Sequence, residues 1–199
     1  MAIDITVYSD YICPYCYVSM GALHKLQEKY DLNITWKGME IHPDTPDEGM
    51  LLTDFFKDAD VPNMLAGLKT RAEEVGLPFG DLQILSNSHD AHTAAEFARA
   101  QGKLEEFHVA MMKAYFGDTK NIGEMEVIME VAKEVGLDLL KLEEALVTSA
   151  YEDDLMQDLA DARQWGITGT PTLIINEQYK VVGAQPLASL DQFLEEISD

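Results

Sequence analysis

Between Met39 and about Ser149 the chain shows helical periodicity and no convincing strand, whereas both of its ends mix strand and helix patterns. Any sheet must therefore be assembled from the two ends, with the long middle part inserted between its strands. At the N-terminal end Ile3, Ile5 and Val7 alternate with Asp4, Thr6 and Tyr8, the period of a strand. After Pro14, which suits a first helical turn because its missing N–H is not needed there, Cys16, Met20, Leu23, Leu26 and Tyr30 recur at helical spacing. Leu32, Ile34 and Trp36 alternate again, which completes a βαβ unit with an expected right-handed crossover.

At the other end Leu155, Leu159, Ala162 and Trp165 predict a helix running to about Gly166. The strings TLII and YKVV flank the short turn NEQ as an antiparallel hairpin, and PLASLDQFLEEI closes the chain as an amphipathic helix. In the middle, EIHPDTPDEG reads as a loop, followed by helical faces through Met64–Val75, Ala91–Ala98, Leu104–Tyr115, Val127–Val131 and Leu139–Leu146. Gly76, Gly102, Gly117 and Gly136 stand where helix C-caps are expected. The boundaries that follow are 1–38 with 150–199 for an α/β domain and 39–149 for an inserted helical subdomain. A mixed sheet built from the two ends would bring residues 13 and 171 together.

Cys13 and Cys16 are the two cysteines of the chain. A bridge across so short a span would close almost no loop and add little stability, so the pair is read as reactive rather than bracing. Cys13 falls between the first strand and its helix, where unpaired N–H groups and the positive end of the helix dipole stabilise a thiolate. Such positions lower a cysteine pKa from about 8.5 into the range ~3.5–7.5. Cys16, one turn further in, is more shielded and should titrate higher. That asymmetry makes Cys13 the attacking sulfur and Cys16 the resolving one, with Pro14 and Tyr15 between them tuning the potential. The competing readings are a zinc half-site and an inert core pair. Structural zinc normally takes four protein ligands, and neither a second CxxC nor more than the isolated His24 accompanies this pair.

The charge is lopsided, with 14 Lys+Arg against 36 Asp+Glu and a formal net charge of −22 at pH 7. Such a surface repels phosphate backbones and argues against nucleic acid as a partner. No apolar run reaches the length of a membrane span, and residues 1–20 lack the features of a signal peptide, so a cytoplasmic protein with a reduced resting pair is expected.

The string SDYICPYCYVSMGALHKL resembles the active-site segment of the DsbA-like thioredoxin family, nearest its FrnE-type branch. SNSHDAH resembles that branch's Asn-Thr…Ala-His signature, and GITGTPTLIINEQYKVVGAQP resembles its final loop, strand pair and GAQP motif. The resemblance implies a thioredoxin-like fold interrupted by a helical subdomain, with Pro171 cis and facing the cysteines. It also implies that Thr170 offers its backbone to a substrate as a short antiparallel strand. Tyr15 replaces the more usual Trp of the branch, giving the CPYC string found also in glutaredoxins.

The expected activity is thiol–disulfide exchange with protein thiols or disulfides, or with glutathione. The cysteines carry the electrons, so no metal, nucleotide or flavin cofactor is expected. One rival is a glutathione-dependent isomerase or transferase of the hydroxychromenecarboxylate isomerase or kappa type, which typically has serine in place of the first cysteine. The other is a binding module that acts through its acidic helical part. His89, His92 and Gln185 are candidates for lining the pocket, His42 reads as a turn residue, and His108 falls among core positions.

Overall fold

The computed structural model describes residues 2–198. Strand β1 (Ile3–Ser9) leads through a short turn into helix α1 (Pro14–Leu26), and the chain returns as β2 (Leu32–Gly38). β2 lies parallel to β1, from Ile3 opposite Leu32 to Ser9 opposite Gly38. α1 ends at Leu26, so Tyr30 lies beyond it.

The middle of the chain is not free of strand, which corrects the sequence expectation. β3 (Met50–Leu51) runs into the short helix α2 (Leu52–Phe55), followed by α3 (Val61–Glu74) and β4 (Ile84–Leu85). β3 and β4 pair antiparallel, Met50 opposite Leu85 and Leu51 opposite Ile84. Two residues are too few for alternation to show in the sequence. The helices α4 (His89–Ala100), α5 (Leu104–Met112), α6 (Met125–Glu134) and α7 (Leu139–Val147) follow, with a π-helical turn at Lys113–Gly117. Asp60 and Asp138 cap α3 and α7, accepting from Asn63 N–H at 3.2 Å and Lys141 N–H at 3.3 Å.

Gly76, Gly102 and Gly136 do adopt positive φ just beyond α3, α4 and α6. Gly117 does not. The π-helical turn carries the chain past it, and Thr119 takes the left-handed conformation instead, at φ 56°.

Three acidic residues, Glu152, Asp153 and Asp154, fill the first turn of α8 (Glu152–Gln164), where they complement its dipole. β5 (Thr172–Ile175), β6 (Tyr179–Val182) and α9 (Leu187–Ser198) complete the fold. The order of the four-stranded sheet is β2-β1-β5-β6, with β5 antiparallel to both β1 and β6. The sheet is thus drawn from both ends of the chain.

Alternation along β1 separates two layers. Ile3, Ile5 and Val7 enter the main core with α1 and with Leu190 and Leu194 of α9, while Tyr8 faces Ala162, Ile167 and Ile174 on the other side. α8 is fixed to β2 by charge as well as packing. Lys37 pairs with Asp158 at 3.0 Å and with Asp161, and Asp158 also accepts Gly38 N–H at 3.1 Å.

The helical part reaches the cysteine helix chiefly through α3. A Cβ on Gly21 would come within 2.7 Å of Val75 Cγ2 and 2.8 Å of Leu77 Cδ1, so glycine is what lets α1 and the end of α3 approach so closely. Tyr17 adds a polar tie, its hydroxyl donating to Pro78 C=O at 2.8 Å. Its ring stacks on Phe116, which is fully buried.

Candidate active site

Cys13 is the N-cap residue of α1, in extended conformation, with Pro14 opening the helix. The turn before it is held by Cys13 N–H donating to Asp10 C=O at 3.1 Å, and the turn after it by Cys16 N–H donating to Cys13 C=O at 3.0 Å. The cysteines are not joined by a disulfide. Cys13 retains 3 % exposure and Cys16 none, so any reagent must meet Cys13 first.

The Thr170–Pro171 peptide bond is cis, and the Thr170 carbonyl accepts from Cys13 Sγ at 3.6 Å. The loop before β5 and the start of α1 therefore converge at one edge of the sheet.

The two thiols differ in acidity. A hydrogen bond from the Cys16 thiol, opposed by burial and helped by the Thr170 hydroxyl and the Cys16 N–H, lowers the Cys13 pKa to about 7. Burial pushes Cys16 well up, and the hydrogen bond and charge of Cys13 add to it, against a weaker pull from the Asp10 N–H and the Ser9 hydroxyl. Near neutral pH the pair thus carries its negative charge on the outer sulfur.

Beside Cys13 lies an apolar cavity of about 320 Å³. Its floor is Cys13, Pro14, Tyr15 and Thr170, and its walls include Met64, Leu68, Phe79 and Phe116 from the helical part. Tyr15 stands at the rim, 44 % exposed. Arg71 lies 5.2 Å from its ring centroid and donates to Ala184 C=O at 3.2 Å, so α3 is tied both to the start of α1 and to the turn after β6.

None of the three candidate lining residues is among those that line this cavity. His89 lines a separate polar cavity, between Glu40 at 2.9 Å and Glu152 at 3.1 Å, and the hydrogen bond to Glu40 leads in raising its pKa to about 9. Gln185 donates to Val182 C=O at 2.9 Å and braces the turn after β6. His92 is buried beneath the site, its Nε2 3.2 Å from Asp10 Oδ1.

Asp10 and His42 went unrecognised in the sequence. The Asp10 carboxylate has no exposure and accepts Ile12 N–H at 3.3 Å and Ile41 N–H at 2.6 Å, clamping the cysteine turn to the chain that follows β2. His42 lines the cavity beside Cys13. The signal for both was topological: parallel β1 and β2 end at the same edge, so the loops leaving them must meet there. Among the described residues no three His, Cys, Asp or Glu side chains converge as a metal-binding set, and no helix is long and apolar enough to cross a membrane.

A family model described as DSBA-like thioredoxin domain matches residues 4–195. The uncharacterized protein YwbO of Bacillus subtilis (strain 168) is 30 % identical over 203 residues, covering 100 % of this chain and 98 % of that protein. Among solved structures, a probable DsbA oxidoreductase from Streptomyces coelicolor superposes with a TM-score of 0.88 at 23 % identity, covering 98 % of this chain and 89 % of that one. A 2-hydroxychromene-2-carboxylate isomerase superposes with a TM-score of 0.78 at 16 % identity, covering 100 % and 96 %. At those identities the two structures establish a shared fold.

Proposed function

The chain belongs to the DSBA-like thioredoxin domain family, and from that premise we propose that it is a thiol–disulfide oxidoreductase that exchanges disulfides with protein or small-thiol substrates through Cys13 and Cys16. The observation that carries this reading is the division of labour within the pair. The outer sulfur caps a helix with its pKa lowered to about 7, and the inner one is fully buried with its pKa raised.

The chemistry follows from that division. With the pair oxidised, a substrate thiolate attacks Cys13 and Cys16 leaves, giving a mixed disulfide that a second substrate thiol resolves. With the pair reduced, the Cys13 thiolate attacks a substrate disulfide, and Cys16 then displaces the substrate sulfur. Thr170 presents backbone beside Cys13, where an extended substrate segment would lie, and the apolar cavity next to it suits the apolar side chains of such a segment. Retention of both cysteines favours this reading over a glutathione-dependent isomerase, for which a resolving cysteine has no use.

The finer assignments are a FrnE-type branch, supported by SNSHDAH and the GAQP string, and a cytoplasmic site of action with glutathione or protein thiols as redox partners. The domain division at 38/39 and 149/150 belongs to the same proposal. Cys16→Ser tests the central reading. Incubated with a disulfide-bonded polypeptide such as insulin, it should accumulate a covalent adduct on Cys13, whereas wild type should pass to its own disulfide and Cys13→Ala should do neither. Equal activity of wild type and Cys13→Ala would overturn the proposal.

A further inference from the structure

Cys16 has no exposed surface and Cys13 retains 3 %, so a substrate joined to Cys13 would cover the nearest route from Cys16 to solvent. Its proton must leave before its sulfur can displace that substrate, because the thiolate is the nucleophile. On the far side of Ser9 from the pair is a small cavity of about 10 Å³, the size at which one water fits, lined by Ser9, Trp36, His92, His108 and the ion-paired Glu96 and half-exposed Arg99. Two of these residues carry buried atoms with no hydrogen-bond partner among the described residues: Ser9 Oγ and His108 Nε2. An unpaired buried polar group is destabilising, so one water bonded to both would remove two penalties. Ser9 ends β1, and its hydroxyl lies beside the Cys16 sulfur, favouring the thiolate without making a full hydrogen bond.

We propose that Ser9 and His108 hold one buried water and that this chain of groups is the proton exit for Cys16, which makes both of them positioning residues for the resolving step. The inference rests on the thiol–disulfide reading above. Cys16 Sγ–H gives its proton to the Ser9 oxygen as the Ser9 proton passes to the water, whose excess proton leaves for solvent along the Glu96 carboxylate beside Arg99. The Cys16 thiolate then attacks Cys13 Sγ, and the bond between Cys13 and the substrate sulfur breaks. The substrate departs as a thiolate with both bonding electrons, reduced as the cysteine pair is oxidised to its disulfide, and one proton reaches solvent. His108 is suited to orienting the water without storing the proton. Burial, with His92 and His24 nearby, keeps its pKa well below 6.5, and either neutral tautomer can bond a water at Nε2. Its ring is held by stacking on Trp36, with centroids 3.9 Å apart.

Stopped-flow reaction of the reduced protein with Ellman's reagent separates the two steps, since capture of Cys13 releases one thionitrobenzoate and resolution by Cys16 releases a second. Ser9→Ala should slow the second release by about 10²-fold or more and leave the first unchanged, a loss of the size that positioned proton transfer supplies. His108→Phe, which keeps the stacking ring, should do the same, and Ser9→Thr should restore the rate. If His108→Phe does not fold, the two Ser9 variants decide the matter. An unchanged second phase in Ser9→Ala, equal slowing of both phases, or failure of Ser9→Thr to restore the rate would overturn the proton exit. A wild-type protein releasing one thionitrobenzoate and no second would overturn the thiol–disulfide reading along with it.

Discussion

Replacing Asp10 by Asn keeps the side-chain shape and removes its charge. The two carboxylate oxygens accept Ile12 N–H at 3.3 Å and Ile41 N–H at 2.6 Å, with His92 Nε2 3.2 Å from Oδ1. An amide has one oxygen, so either orientation turns its NH₂ toward a buried donor. The loss is one charge-assisted hydrogen bond, with a donor left unpaired, about 2–3 kcal/mol. For a domain of this length each kcal/mol moves the melting midpoint by ~2–4 °C, so Tm should fall by roughly 4–12 °C. Asp10→Ala also strands His92 in the interior and should cost more, about 3–5 kcal/mol.

The pH dependence of that loss has a definite sign. Burial pushes the Asp10 pKa up, but His92, the Ile41 N–H and the Ser88 hydroxyl outweigh it and hold the carboxyl below its ordinary 3.8. A depressed carboxyl contributes stability that is fully present above the unfolded pKa and is lost as pH falls through the folded one. The gap between wild type and Asp10→Asn should therefore be full at pH 7 and shrink only below about pH 4. Urea denaturation followed by tryptophan fluorescence from pH 7 to pH 3 measures it. A gap under about 1 kcal/mol at pH 7, or one undiminished in acid, would refute the assignment of Asp10 as the clamp of the cysteine turn.

Three further outcomes follow from the same geometry. In Cys16→Ala, Cys13 loses the thiol hydrogen bond that leads in lowering its pKa, so its thiolate absorbance at 240 nm should titrate above the wild-type value of about 7; an unmoved midpoint would contradict that cause. Phe116→Ala empties a fully buried site stacked on Tyr17 at 4.9 Å and Phe79 at 5.7 Å, and should cost about 3–5 kcal/mol in chemical denaturation. Gly21→Ala drives a methyl to within 2.7 Å of Val75 Cγ2, and should destabilise by about 1–3 kcal/mol as α3 is pushed from α1.

Long periodic elements were legible from residue pattern. The alternation of Ile3, Ile5 and Val7 sets both β1 and the face it buries, and Pro14 with the apolar spacing after it sets α1. The pairing of β1 with β5 follows from neither pattern alone, yet it is what carries Thr170 to Cys13. What escaped the sequence was set by three-dimensional approach. Met50–Leu51 and Ile84–Leu85 form strands because they meet each other, too briefly for any alternation. His89 and His92 stand one turn apart on the same side of α4 yet reach different partners, one Glu40 and Glu152 and the other the buried Asp10, which spacing alone does not reveal. The clamping role of Asp10 has no local signature, because the donors that bury it come from Ile41 and from a histidine far along the sequence.

The central claim, that the Cys13–Cys16 pair is a reversible two-electron couple, is tested most directly by equilibrating the protein in graded reduced and oxidised glutathione and quantifying free thiols at each ratio. The account predicts one transition between dithiol and intramolecular disulfide, with a midpoint inside the span of about −270 to −120 mV occupied by such sites. Two thiols that titrate independently, or a glutathione adduct on Cys13 that persists at every ratio with no internal disulfide, would contradict it.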